Sequence, residues 1–414
     1  MIRALTPVAS LLLGVAILLA GQGLQSTLVP VRANLESFST IGIGLMGGAY
    51  FLGFTIGCLR GVRLVQKLGH VRVFAAMAAI ASATPIILAL FVNIWAWWVL
   101  RLITGFCFAI LYVVIESWLN EKSSNENRGL VFSAYTFISL TLMAAGQQLL
   151  QFHDPAGLTL FAIASVLVSL AAVPVVMSTS TTPRHSDSVQ LDYKRLFAIS
   201  RTGTMACLAS GLANGAFWSL APVFTAGISD QVSTAATFMT AAVIGGAAGQ
   251  WPLGYWSDRT DRRIVMAVVG LLAAGIGLAM GLFYDRLGIP TLIALSAAWG
   301  ATAFPLYSVA VAHSNDYAEP GEHVMVSSGL LLMYGIGAIV GPFLAGASMS
   351  WFSTSSLYLF TAVIHVVIFI YILTRIPRRA SAPLDQHVPF SEALTAVQTA
   401  SHIYEEEEQK AGRR

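Results

Sequence analysis

Twelve apolar runs, each close to the length of a bilayer crossing, follow one another along this 414-residue chain. A hydrocarbon core of about 30 Å takes roughly 20 apolar residues in a helix. The runs lie near 8–30, 41–63, 71–92, 95–118, 129–150, 157–178, 202–226, 234–256, 263–283, 289–312, 324–347 and 353–374. Most are bounded by a charge or by Pro, Gly or Asn. The junctions at 93–94 and 152–156 are short and read as tight hairpins. Composition agrees, with 56% apolar residues and 10% Asp, Glu, Lys and Arg. A typical soluble domain carries about 25% charged residues. The polar atoms here could not cover the chain in water. That excludes an ordinary cytosolic enzyme, a disordered protein and a nucleic-acid binder. The predicted fold is an all-α membrane protein of twelve transmembrane helices. Arg3 ahead of the first run suggests a signal peptide. The run nevertheless continues apolar to Val31 with no small-x-small cleavage site, so it reads as the first span. Cys58, Cys107 and Cys207 all sit in apolar runs, which points to no disulfide framework and no CxxC metal site. Neither a metal nor a cofactor is expected.

The scarce charges give an orientation through the excess of Lys and Arg in cytoplasmic loops. With the N-terminus cytoplasmic, alternate segments hold Arg3; Arg60, Arg63, Lys67 and Arg72; Lys122 and Arg128; Arg184, Lys194, Arg195 and Arg201; Arg259, Arg262 and Arg263; and Arg375, Arg378, Arg379, Lys410, Arg413 and Arg414. These are 20 of the 23 basic residues. The opposite loops hold only Arg32 and Arg286, and Arg101 lies within the fourth run. A miscounted span would scramble this alternation. Both termini are therefore expected to be cytoplasmic, in a multi-pass membrane protein. The modest net charge of +3 conceals a strong polarity across the bilayer.

The two halves of the chain match at a nearly constant offset. At 192, Gly23, Leu28, Pro30 and Val31 fall on Gly215, Leu220, Pro222 and Val223, and Gly57 falls on Gly249. At 195, Gly105, Leu111, Tyr112 and Asn120 fall on Gly300, Leu306, Tyr307 and Asn315, and Gly146 falls on Gly341. Six crossings per half bring the second half into the membrane in the same direction. That predicts a parallel repeat with a site between the halves at the midplane. The expected division is an N-terminal six-helix bundle over 1–178, a cytoplasmic linker over 179–200, a C-terminal bundle over 201–375 and a cytoplasmic tail over 376–414. Within the tail, Phe390, Leu394, Val397 and Tyr404 are spaced for one weakly amphipathic helix ahead of the acidic run Glu405–Glu408.

Local motifs in this frame resemble those of the major facilitator superfamily. Gly254-x-x-x-Asp258-Arg259-x-Asp261-Arg262-Arg263 is similar to the family's loop signature G-x-x-x-D-R-x-G-R-R, with Asp261 replacing the second Gly. Between spans 2 and 3 the counterpart is degraded. Lys67-Leu68-Gly69 is kept, but Gln66 stands where an Asp is expected. Arg101-x-x-x-Gly105-x-x-x-Ala109 resembles the family's span-4 motif. Gly337-x-x-x-Gly341-Pro342 resembles a Gly-Pro motif that antiporters carry in span 5, whereas span 5 here has Gly146-Gln147-Gln148 and lacks the Pro. Val114-Ile-Glu116-Ser117, Asn127-Arg128-Gly129, Gly249-Gln250-Trp251-Pro252 and Phe304-Pro305-Leu306-Tyr307 bring the chain nearest to a YcaD-like branch of bacterial inner-membrane transporters. The resemblance covers about residues 5–375 and implies a transporter. It also implies that Asp258 caps a helix beginning in the other half, for which Asn127-Arg128-Gly129 is the natural target. The implied cytoplasmic gate comprises Lys67, Arg128, Asp258, Arg259 and Arg262.

Polar residues at membrane depth are the remaining signals. An intramembrane charge is expensive, by roughly 2.5–3.5 kcal/mol on insertion scales, and normally faces a cavity or a partner. Arg101 either meets an anionic group or takes part in proton coupling, as the family motif implies, or snorkels to the outer surface with a bond to a carbonyl. Glu116 lies on the same helix, about 22 Å away at 1.5 Å per residue, too far to pair with it. It either carries a coupling proton or forms an inner-gate salt bridge, for example with Arg128. Gln22, Gln25 and Asn214 are amides that should face the interior, because unsatisfied amides are costly in lipid. They either line a substrate cavity or brace neighbouring helices. Tyr112 and Tyr307 are repeat-equivalent and suit a ring-shaped ligand, and Trp218 is similar. Together, Gln22, Gln25, Tyr112, Asn214, Trp218 and Tyr307 are the candidate substrate residues.

The expectation is a monomeric secondary transporter working by alternating access on a small neutral or singly anionic organic solute, with protons as a candidate coupling ion and lipid as its surroundings. No Walker A motif is present, so ATP is not the direct energy source. The alternatives are a drug or metabolite exporter and a non-transporting receptor on the same scaffold. A membrane-embedded enzyme would need clustered catalytic groups within the spans, and the sequence shows none.

Overall fold

The computed structural model describes residues 8–124, 127–177, 192–319, 321–384 and 387–390. The expected linker and amphipathic tail helix therefore lie largely outside the described residues. Among the described residues, twelve helices are long and apolar enough to cross a membrane. They are α1 (Ala9–Leu35), α2 (Thr40–Leu68), α3 (His70–Leu90), α4 (Ile94–Lys122), α5 (Arg128–Gln148), α6 (Thr159–Val176), α7 (Arg201–Ala226), α8 (Val232–Ser257), α9 (Arg262–Phe283), α10 (Ile289–Asn315), α11 (His323–Trp351) and α12 (Ser356–Arg375). No strand occurs among the described residues.

Helix ends follow local chemistry more than hydropathy. The α2 helix carries Arg60, Arg63 and Lys67 and stops only at Gly69, whose φ of 83° is a conformation that glycine alone adopts cheaply. The Asn93 side chain caps α4 by accepting from the Trp95 and Ala96 amides. Pro174 cannot donate to the carbonyl of Leu170, and the α6 crossing is interrupted at Ala171 before resuming over Ala172–Val176. Pro30, Pro85, Pro222, Pro252, Pro305 and Pro342 lie inside helices that run through them, as membrane helices tolerate.

The described residues form two compact units. One holds α1–α6 and Trp218–Thr240; the other holds Phe217 and the residues before it in α7, the part of α8 from Ala241 onward, and α9–α12. In the first unit α1 packs on α5 where Gly23 meets the Met143 carbonyl and Gly146 meets that of Ala20. There α2 packs on α4 where Gly53 meets the Leu102 carbonyl and Gly105 meets that of Tyr50. In the second unit α7 packs on α11 through Gly211 and Gly341, and α8 packs on α10 through Gly245 and Gly300. These glycines bring backbones too close for any Cβ, which is how membrane helices gain packing without a hydrophobic drive. Gly53 and Gly245 stand 192 residues apart, and Gly105 and Gly300 stand 195 apart, so equivalent positions make equivalent crossings. Large apolar side chains such as Leu271, Leu278, Val363, Val367 and Ile370 are exposed, forming a face suited to lipid.

Candidate functional site

In the first unit a polar chain threads an apolar interior. The Tyr112 hydroxyl of α4 donates to Gln22 Oε1 of α1 at 2.6 Å. Gln22 Nε2 in turn donates to the Tyr50 hydroxyl of α2 at 3.2 Å. The Arg101 guanidinium of α4 lies over the Tyr50 ring, 4.3 Å from its centroid. Three helices thus converge on one amide, two phenols and one cation. Phe54 packs edge-on to Tyr112, with ring centroids 6.1 Å apart. Arg101 therefore meets an aromatic face, which attracts a cation through the ring quadrupole. Gln25 stands nearly one turn along α1, is 2% exposed, and has neither amide atom hydrogen-bonded. An amide so placed lacks the partners that nearly all buried polar groups possess.

Glu116 occupies a separate place on α4. It is 1% exposed, and its Oε1 accepts from the Tyr135 hydroxyl of α5 at 3.0 Å. Beyond this pair in the same unit, Gln148 Nε2 donates to Thr240 Oγ1 at 2.7 Å, and Gln147 Oε1 faces the same hydroxyl at 3.2 Å.

The second unit repeats the theme with a different amide. Asn214 is 4% exposed, lies near Tyr334 of α11, and keeps a buried Oδ1 without a hydrogen-bond partner. The Tyr334 ring lies 4.7 Å from that of Tyr307 on α10. Trp218, just over one turn after Asn214 on α7, is half-buried and belongs to the first unit.

The loop between α8 and α9 holds a charged cluster. Arg262 has a fully buried side chain, with Nε 2.8 Å from Asp316 Oδ2 and Nη1 3.1 Å from Asp258 Oδ1. Asp261 caps α9 by accepting from the Arg263 amide, and also pairs with the Arg263 side chain at 2.6 Å. Burial pushes the Asp261 carboxyl up, and the Arg263 bonds outweigh it and hold it below its usual range. Arg259 is exposed and stacks on Tyr255 at 3.4 Å. Lys67 is exposed and Arg128 is half-buried.

Of the residues expected from sequence, Gln22, Tyr112 and Arg101 meet in one network through Tyr50, which sequence reasoning missed. Tyr50 falls on Ala242 in the repeat, so the offset gave no hint of it. Tyr334 and Tyr135 were missed too. Their only signal was a phenol within an apolar run.

Known proteins share this arrangement of helices. The model of the Major Facilitator Superfamily matches residues 11–228 and 204–403. The chain belongs to that superfamily. This superfamily transporter, which is not an enzyme, is 29% identical to an MFS-type transporter, YcaD, of Escherichia fergusonii over 91% of this chain and 98% of the relative. It is 28% identical to an MFS-type transporter of Enterobacter sp. (strain 638), over 91% and 97% respectively. Among solved structures it resembles the nucleoside transporter NupG, with a TM-score of 0.70 and 14% identity, covering 89% of this chain and 98% of that one. That likeness is one of fold. A twelve-span transporter of this family fits a multi-pass protein of a bacterial inner membrane.

Proposed function

We propose that this transporter moves a small neutral or singly anionic organic solute bearing a ring, by alternating access and without ATP. The observation that carries the reading is the Gln22–Tyr112–Tyr50–Arg101 network, with Gln25 buried beside it and unpartnered. Amides fix hydroxyl or carbonyl groups by direction, phenols offer faces and hydroxyls, and a single cation admits at most one negative charge. Asn214, Tyr334 and Tyr307 supply the same chemical types in the second unit, and Trp218 adds a further ring. Gln22, Gln25, Tyr112, Asn214, Trp218 and Tyr307 are accordingly assigned to the solute.

Coupling to protons is assigned to Glu116, with Arg101 as the fixed charge of the same helix. Lys67, Arg128, Asp258, Arg259 and Arg262 are assigned to the cytoplasmic gate. In this reading the chain is a monomer with both termini cytoplasmic, divided at 178, 200 and 375 into bundle, linker, bundle and tail.

Flux tests it. Proteoliposomes holding the purified full-length chain are offered sugars, vitamins, nucleosides and drug-like compounds, with internal pH recorded. Solute-dependent proton movement supports the reading. A solute that binds without ever crossing would instead favour a receptor on this scaffold.

A further inference from the structure

Past α12 the chain turns back across the ends of its own helices. The Arg263 guanidinium donates to the Arg379 carbonyl, and the Tyr317 hydroxyl donates to that of Ala380. Farther on, the Val388 amide donates to Asp316 Oδ1 at 2.9 Å, and the Val388 carbonyl accepts from Arg262. The Phe390 amide donates to Asp258 Oδ1 at 3.0 Å. Three backbone groups within three residues are thus held by three charged side chains, one beside the end of each of α8, α9 and α10. The Phe390 ring is buried in a notch that exists because Gly254 has no side chain, since a Cβ there would collide with the ring.

The Phe390 ring joins the apolar core of the second unit, and two features make the rest of this contact a clasp. Residues 387–389 make no helix or strand, and beyond the bonds above they are held by the His387 ring, 3.9 Å from Asp316 Oδ2, and by the His387 amide, which donates to the Leu384 carbonyl. Moreover, the groups that hold them also hold one another. Arg262 bonds to Asp258, Asp316, Ser257 and Val388 together. When the segment leaves, a buried guanidinium loses an acceptor and two carboxylates lose their amide donors. Buried charged groups do not stay unmatched, so departure entails re-pairing around Arg262.

We propose that residues 387–390 are a detachable strap whose docking on Asp258, Arg262 and Asp316 pins the adjoining ends of α8, α9 and α10, and whose release frees them to rearrange. The strap is a conformational control built from the chain's own tail.

Hydrogen–deuterium exchange on the full-length protein in nanodiscs tests this with two variants that act from opposite sides. Phe390→Ala removes the ring, and Gly254→Ala fills its notch. Both are expected to speed exchange in 254–263 and 316–323 by about tenfold while leaving 289–300 unchanged, as a local opening does. The double variant should add nothing further. Unchanged exchange in 254–263 and 316–323 would overturn the proposal. So would acceleration spreading through 289–300, because the segment would then brace the whole of α10 and not its end alone. If one variant fails to fold, the other still decides.

Discussion

Tyr112 on α4 donates to Gln22 on α1 at 2.6 Å, and the same amide reaches Tyr50 on α2. One glutamine therefore ties three helices together in a region with few other polar bonds. Removing the Tyr112 hydroxyl leaves a half-buried acceptor unmatched, which costs up to about 1–3 kcal/mol. Tyr112→Phe is expected to lower the thermal midpoint of the purified protein and to weaken solute binding. Tyr50→Phe should act in the same direction. Thermal unfolding with and without solute separates the two effects.

Packing makes an independent prediction. A Cβ on Gly105 would collide with the Tyr50 carbonyl, and one on Gly300 with that of Ala242. Gly105→Val and Gly300→Val must force α4 from α2 and α10 from α8. Overpacking of this kind costs typically about 1–3 kcal/mol. Gly129→Ala, where a Cβ meets nothing within 4 Å, should be nearly silent. Midpoints measured in one detergent provide the comparison.

The α9 cap should show in acid. Asp261 has its carboxyl held below the usual range by Arg263, so the folded state binds its proton less readily than the unfolded chain. Its contribution is complete above the unfolded value of about 3.9 and fades as pH falls through the lower folded value. Asp261→Ala removes the cap and is expected to cost about 0.5–2 kcal/mol near neutral pH. The gap between variant and wild type should narrow below about pH 4, which acid unfolding curves would reveal.

Coupling supplies a prediction of different character. Glu116 is buried and accepts from Tyr135, so Glu116→Gln keeps the size and removes the titration. Solute-driven proton movement should vanish in this variant while solute binding persists. Tyr135→Phe leaves the carboxyl in place and should keep coupling, with an altered pH profile of flux. Coupled flux that survives Glu116→Gln would remove Glu116 from the proton pathway.

These tests rest on features that differed in how far the sequence disclosed them. The crossings were legible because twenty consecutive apolar residues have few other uses. Their ends were less so: α2 runs on to Gly69 through Arg60, Arg63 and Lys67, where charge rather than hydropathy dominates. Glycine matches at offsets of 192 and 195 marked the repeat but not which helices touch; the close crossings at those glycines emerge only in the structure, where a residue without a side chain is required. Gln22 and Tyr112 stood out as polar groups in apolar surroundings. Tyr50 did not, because its importance comes from Arg101 and Gln22 arriving from other helices. The tail's grip on Asp258 was the least visible feature. It uses backbone amides, and a backbone amide has no signature in a sequence.

The central claim is that the buried amides and phenols bind a ring-bearing solute, and ligand-dependent thermal stability measures this most directly. At a solute concentration about 100 times Kd, binding adds about 2.7 kcal/mol to folded stability. A neutral or singly anionic ring compound is expected to raise the midpoint of the wild-type protein, and Gln25→Ala and Asn214→Ala should each diminish the rise. A panel of sugars, vitamins, nucleosides and drug-like compounds that leaves the midpoint unmoved, or that raises it as much in both variants as in the wild type, would contradict the claim.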